Sequence, residues 1–252
     1  MAARRRPRTW RSFWRRRKRW FARSFRRAAP PVLRVLVLVA LALAILPPIA
    51  VAFFSVIPIP LTPVMVADLV KGKGLVRVPV PLNEVSPALV DAVIASEDAR
   101  FCLHDGFDWR AIKAANAANA KGDALRGAST ISMQTAKNVF LWPGRNWLRK
   151  GFEAYTTFFL EHLWSKRRIL ETYLNVAEWG PGIYGIEAAA RYHFQTRAHD
   201  LTLTQAARLA VILPNPVVYE VDSVYAIARA GTIARRASDI RAQGLDRCVR
   251  TP

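Results

Sequence analysis

Two cysteines, Cys102 and Cys248, are all that the 252 residues contain. Two are too few for a disulfide scaffold, and they lack the spacing of a metal site. In an oxidising compartment they could pair and tie the C-terminus to the segment around Cys102; otherwise they are buried free thiols. Acidic residues are scarce as well, 18 against 38 Lys and Arg, for a net charge of +20. The first 34 residues have no acid and fourteen basic residues. The remainder is only about +6, so the basicity belongs to a tail and says little about a folded domain. Strand signals are few, no internal repeat is visible, and the tail is the one compositionally biased segment. These absences exclude a repeat architecture and a β-rich fold.

Next to the tail lies a stretch with no charge at all. Val35–Ile57 is an apolar run of 23 residues. About 20 such residues span a bilayer core. The run is too long for a secretory signal core and shows no small-residue cleavage site. Pro47-Pro48 within it would kink the span or end a shorter one. Arginines before a span hold the N-terminus in the cytoplasm. The domain that follows then lies outside, on the periplasmic side in a bacterial cell. The tail interleaves Trp10, Phe13, Trp14, Trp20, Phe21 and Phe25 with its arginines. Such a pattern suits single-stranded nucleic acid. Beside a span, anchoring to anionic headgroups is the simpler reading, and no nucleic-acid partner is expected.

Residues 58–74 read as a Pro-rich linker and membrane-proximal segment, with a valine-rich, extended piece over Leu75–Pro81. From Ser86 onward helical patterns dominate. Ser86-Pro87 is a strong start signal, a cap residue followed by proline in the first turn. Further helices are expected over Trp109–Ala120, Thr130–Val139, Trp147–Leu163, Lys166–Asn175, Ile186–His193, Thr204–Leu213 and Ser223–Gln243. The organisation read from this is a basic tail (1–34), a transmembrane helix (35–57), the linker (58–74) and a mainly α-helical domain (75–252).

Four stretches carry chemistry-bearing residues. Glu97 through Asp108 packs five ionisable side chains, a histidine and a glycine behind the apolar segment Ala88–Ala95. A carboxylate at the end of a greasy helix is part buried, which raises its pKa toward that of a general base; solvated charges at a helix end are the bland reading. Gly127 through Asn138 opens a helix near Thr130, with Ser129 and Thr130 as caps and Gln134 and Lys137 on one face. Lys150 and Glu153 share a face of the next helix, close to Arg145. They form either a surface ion pair of little weight or a cationic cradle for phosphate with one carboxylate. Ser165–Gly180, ending in Gly180-Pro181-Gly182-Ile183-Tyr184-Gly185, reads as core and turn packing.

In this order and spacing the four stretches resemble the peptidoglycan glycosyltransferases, the family of class A penicillin-binding proteins' glycosyltransferase halves and of stand-alone transglycosylases. The pattern Glu-Asp-x-x-Phe-x-x-His-x-Gly-x-Asp is met in full by Glu97–Asp108. Gly-Gly-Ser-Thr-Ile-x-x-Gln is met by Gly127–Gln134, with Ala128 in place of the second glycine. Arg149-Lys150-x-x-Glu153 and Ser165–Gly180 match the third and fourth motifs, and Ala206–Ala210 with Leu213–Pro216 resembles a fifth. The resemblance covers about residues 75–220. It implies a lysozyme-like, mostly helical domain with a jaw near the membrane, and a reaction that polymerises lipid II. The acceptor's 4-hydroxyl would attack the anomeric carbon of the growing chain, and undecaprenyl pyrophosphate would leave with inversion.

Under that resemblance Glu97 is the general base and Glu153 the second catalytic carboxylate. Asp98, Ser129, Thr130, Gln134, Lys137, Arg145 and Lys150 bind sugar or pyrophosphate. Glu153 would hold Lys150 in place or bind a divalent metal (Mg2+ or Mn2+) beside the phosphates; no organic cofactor is implied. A glycan-cleaving enzyme would have no use for Lys137, Arg145 and Lys150 together, and a non-enzymatic scaffold no use for Glu97 with Glu153. No Ser-x-x-Lys motif is present, so crosslinking would fall to other cell-wall enzymes.

Overall fold

The computed structural model describes residues 30–121, 127–144 and 146–250. The aromatic-basic tail and Arg145 therefore lie outside the described residues. The chain forms two compact units, Met1–Leu46 and Pro47–Pro252. Helix α1 (Pro31–Phe54) has 24 residues and contains an 18-residue stretch of mean hydropathy 2.8. At 1.5 Å per residue it is about 36 Å long, enough to cross a bilayer. It starts and ends earlier than the 35–57 expected. Pro47 and Pro48 sit inside it without ending it. Each removes one backbone donor, a loss that spanning helices tolerate.

The segment expected as linker is instead partly core. Thr62 caps α2 (Pro63–Val70) by accepting from Met65 N, and Met65 is fully buried. Pattern alone missed this helix because eight residues hold too little periodicity. Asp68 at its end accepts from Tyr184 Oη at 2.8 Å and from Lys73 Nζ at 3.1 Å. A three-stranded sheet joins distant segments: β1 (Val76–Arg77) runs parallel to β3 (Ile183–Tyr184), which is antiparallel to β2 (Glu178–Gly180). The β2–β3 turn requires Gly182, at φ 72°. A Cβ there would lie 2.6 Å from Lys73 O.

The body is helical: α3 (Pro87–Glu97), α4 (Trp109–Ala120), α5 (Ile131–Phe140), α6 (Trp147–Leu163), α7 (Lys166–Val176), α8 (Ile186–Phe194), α9 (Leu203–Ile212), α10 (Val224–Ala242) and α11 (Arg247–Arg250). Two groupings position the site. In the first, α3 packs against α9 and α10 with Leu89, Ala92, Val93 and Ile94 fully buried, so the helix that ends in Glu97 is itself core. In the second, α5 packs against α6 and α7 through Ile131, Leu160, Ile169 and Leu170. Asn175 on α7 reaches back to both backbone groups of Val80, donating to the carbonyl at 2.8 Å and accepting the N–H at 2.9 Å. Trp164 Nε1 donates to Val51 O at 2.7 Å, which fixes the last turn of α1 to the body.

Candidate active site

Glu97 is the last residue of α3, and its carboxylate accepts from Gln134 Nε2 at 2.8 Å. Gln134 stands on the first turns of α5 and accepts from Tyr173 Oη of α7 at 3.4 Å. Burial pushes the Glu97 carboxyl above the usual carboxylate range, and the negative Asp98 adds to this. The Gln134 hydrogen bond and the Lys137 charge pull the other way. Burial and the Glu97 charge also raise the Tyr173 hydroxyl well above its ordinary value, so it remains a neutral donor.

Asp98, next in sequence, has a different task. It is buried and accepts from His104 Nε2 at 3.0 Å and from the Ile131 backbone N–H at 3.1 Å. The carboxylate thus sits at the N-terminus of α5, where the helix dipole favours it. Thr130 is similarly committed. Its Oγ1 accepts from Met133 N at 3.2 Å and donates to Gly106 O at 2.6 Å. Gly106 has φ 89°, and a Cβ on it would lie 2.9 Å from both Glu161 and Thr157 of α6. The loop after Glu97 can press onto α6 only with glycine at that point. Asp98 and Thr130 therefore lock the loop, α5 and α6 together and hold Glu97 and Gln134 in register.

Glu153 projects from α6 and is 2% exposed. Its two oxygens take different cations, Lys150 Nζ at 2.5 Å and Arg149 Nη1 at 3.3 Å. Lys150 also donates to Ser129 Oγ at 3.3 Å. Arg149 is buried as well, and its i, i+4 spacing from Glu153 puts the two on one helix face. Lys137 faces the same group. Burial lowers its ammonium pKa and Glu153 supports the charge most strongly, with Arg149 and Lys150 repelling it and Glu97 adding smaller support. Three cations around one buried carboxylate leave net positive charge on this wall, suited to an anionic group.

Two cavities border this bonded pair of Glu97 and Gln134, one at each residue. One of about 300 Å³ is lined by Gln134, Lys137, Asn138, Arg149, Tyr173 and Glu178. The other, about 420 Å³, is lined by Glu97, Asp98, Arg100, Asp108, Ser129 and Thr130. The fold thus places Glu97, Gln134, Lys137 and Ser129 on the walls of a cleft made of these two cavities, and joins Glu153 and Lys150 to it through Arg149 and Ser129. Asp98 lines it with its oxygens already engaged.

A resident metal on Glu153 does not fit this donor set. Both oxygens already accept from cations, and among the described residues no three His, Cys, Asp or Glu side chains converge. Lys166, missed from sequence, opens α7. It donates to His104 O at 2.6 Å and to Glu161 Oε1 at 2.8 Å, with its ammonium 4.6 Å above the Phe101 ring. Nothing in its sequence neighbourhood signals these contacts, which come from two other segments, the loop after Glu97 and the last turns of α6.

Cys102 and Cys248 form a disulfide with a Cα–Cα distance of 5.6 Å, across 146 positions of sequence. It ties α11 to the loop that follows Glu97. Asp91 in α3 strengthens this closure by accepting from Arg241 at 2.7 Å and from Arg250 at 3.5 Å. Burial, then the neighbouring Asp246 carboxyl, push Asp91 up to about 6 against the pull of Arg241.

Residues 65–240 match the model of the transglycosylase family. The chain is 50% identical over 226 residues to a biosynthetic peptidoglycan transglycosylase of Rhodospirillum centenum, covering 88% of this chain and 98% of the relative. It is 48% identical to the protein of that name in Caulobacter vibrioides, over 81% of this chain and 90% of the relative. For the one in Rhizobium etli the figures are 46%, 88% and 94%.

Proposed function

Since the chain belongs to the transglycosylase family and is a peptidoglycan glycosyltransferase of lysozyme-like fold, we propose that it polymerises lipid II with Glu97 as general base. The observation that carries this reading is the partly buried Glu97 carboxylate, held by Gln134 beside a wall of cations. A sugar hydroxyl is a poor nucleophile and needs a base near its operating pH. Burial moves Glu97 in that direction. Glu97 takes the proton of the acceptor's 4-hydroxyl as that oxygen bonds to the anomeric carbon of the growing chain. The bond to undecaprenyl pyrophosphate breaks on the opposite face, which inverts the centre.

The departing pyrophosphate gains charge, and Lys137 and Lys150 stabilise it. Glu153 fixes Lys150 through a 2.5 Å contact and keeps three neighbouring cations compatible with a folded core. Ser129, bonded to Lys150, stands where it can meet sugar or phosphate. Arg145 would join this set from outside the described residues. The lipid tail stays in the bilayer, and α1 keeps the site beside it. The arginine-rich tail supports a cytoplasmic N-terminus in the inner membrane with the catalytic domain in the periplasm.

Purified protein incubated with labelled lipid II is expected to give a ladder of glycan strands on a gel. Absence of strands under conditions where the lipid II is intact refutes the reading. A reporter fused after Pro252 should be active only on the periplasmic side; cytoplasmic activity refutes the orientation.

A further inference from the structure

Glu97 borders a third cavity that the transfer chemistry leaves unused. It measures about 130 Å³, and its lining includes Ser96, Glu97, Pro214, Tyr219, Arg229 and Arg236. Arg229 and Arg236 are seven residues apart on α10 and so share a face. Both are exposed, and neither has an ion-pair partner among the described residues. The Tyr219 ring stacks on Tyr225 with centroids 5.3 Å apart, forming a flat wall beside them. Two unneutralised guanidiniums, an aromatic wall and the catalytic carboxylate thus surround a small open space.

We propose that this cavity is a subsite for a carboxylate of the acceptor's peptide stem, with Arg229 and Arg236 as its ligands. The proposal rests on the lipid II reading. Three observations support it. The volume is well below the roughly 300–1,000 Å³ of a whole-ligand pocket, so it takes a group of the substrate rather than a sugar pair. Guanidinium recognises carboxylate by charge-assisted, often bidentate hydrogen bonds. The third observation concerns which substrate is held. The cavity shares Glu97 with the cleft but none of Lys137, Arg149 or Lys150, and the 420 Å³ cavity is tied to Lys150 through Ser129. The cations serve the departing pyrophosphate, whereas a base must touch the incoming nucleophile. A cavity connected to the base alone therefore belongs to the acceptor, whose peptide stem carries the carboxylates its sugars lack.

The test uses full-length protein in detergent and two acceptors: lipid II with its intact stem, and a lipid-linked disaccharide ending in a lactyl amide. Wild type should show a KM for the amide about 10–100-fold above that for lipid II, the range expected from losing one charged hydrogen-bonded contact. Arg229→Ala/Arg236→Ala should raise the lipid II KM by a similar factor with kcat changed less than about two-fold, and should no longer distinguish the acceptors. Arg229→Lys/Arg236→Lys should recover part of the discrimination. An unchanged lipid II KM in the alanine variant overturns the proposal. So does an equal penalty on both acceptors, which would indicate a pyrophosphate contact or damaged packing. Wild type that uses neither acceptor refutes the lipid II reading itself; wild type that uses both equally refutes this subsite alone.

Discussion

Replacing Glu153 by glutamine tests how the cationic wall is held together. The carboxylate is 2% exposed and Arg149 is 8% exposed, so the amide would leave a buried guanidinium with no counter-charge. Breaking such a pair costs about 3–5 kcal/mol, because the surviving charge keeps its desolvation penalty and loses its compensation. For a domain of this size each kcal/mol corresponds to roughly 2–4 °C, so Tm should fall by roughly 6–20 °C. Lys150, with 39% of its side chain exposed, can turn to water. Lys150→Ala should therefore reduce turnover while shifting Tm by no more than a surface pair would, about 0–1 kcal/mol of stability. The assay is thermal unfolding of full-length protein in detergent, paired with lipid II turnover well below the lower Tm. An Arg149→Met/Glu153→Gln protein should regain much of the lost stability. If Glu153→Gln melts within 2 °C of wild type, the buried-pair reasoning fails.

Glu97→Gln should abolish strand synthesis and leave lipid II binding intact; polymerisation at the wild-type rate would remove Glu97 from the mechanism. Because a base works deprotonated and Glu97 is raised, the acidic limb of kcat/KM should lie above the range of an ordinary glutamate. Gln134→Leu removes a bond that favours the carboxylate form and should move that limb to still higher pH. Asp91 is raised to about 6 in the folded state, so it favours folding most below about pH 4, and this contribution is lost as pH rises toward 6. Asp91→Asn should flatten that part of the stability profile, measured by denaturant unfolding at several pH values. Cys248→Ser opens a loop of 146 positions and should lower stability by about 2–4 kcal/mol, read from the denaturation midpoint under oxidising conditions.

Local signals and motif spacing in the chain already determine much of this. The apolar run predicts α1 to within a few residues, and Ser86-Pro87 marks the start of α3. The helices over Trp109–Ala120 and Trp147–Leu163 fall where periodicity puts them, because caps and an apolar face are properties of neighbouring residues. The ordered motifs name the residues around the cleft, and Lys150 and Glu153 meet because three positions on a helix place them on one face.

What remained open depended on contacts between segments distant in sequence. The motif assigns Asp98 to sugar or pyrophosphate, yet its carboxylate serves His104 and the start of α5. Thr130 reads as a cap or a substrate contact, and only the fold shows that it also holds Gly106. Lys166 gains its function from the His104 carbonyl, Glu161 and Phe101. The choice between free thiols and a disulfide for Cys102 and Cys248 required α11 to close onto the loop after Glu97. Residue types and spacing specify which groups are present and which share a face. Burial, charge compensation and the meeting of Glu97 with Gln134 arise only when α3, α5 and α7 pack, because desolvation and hydrogen bonding depend on what surrounds a group in space.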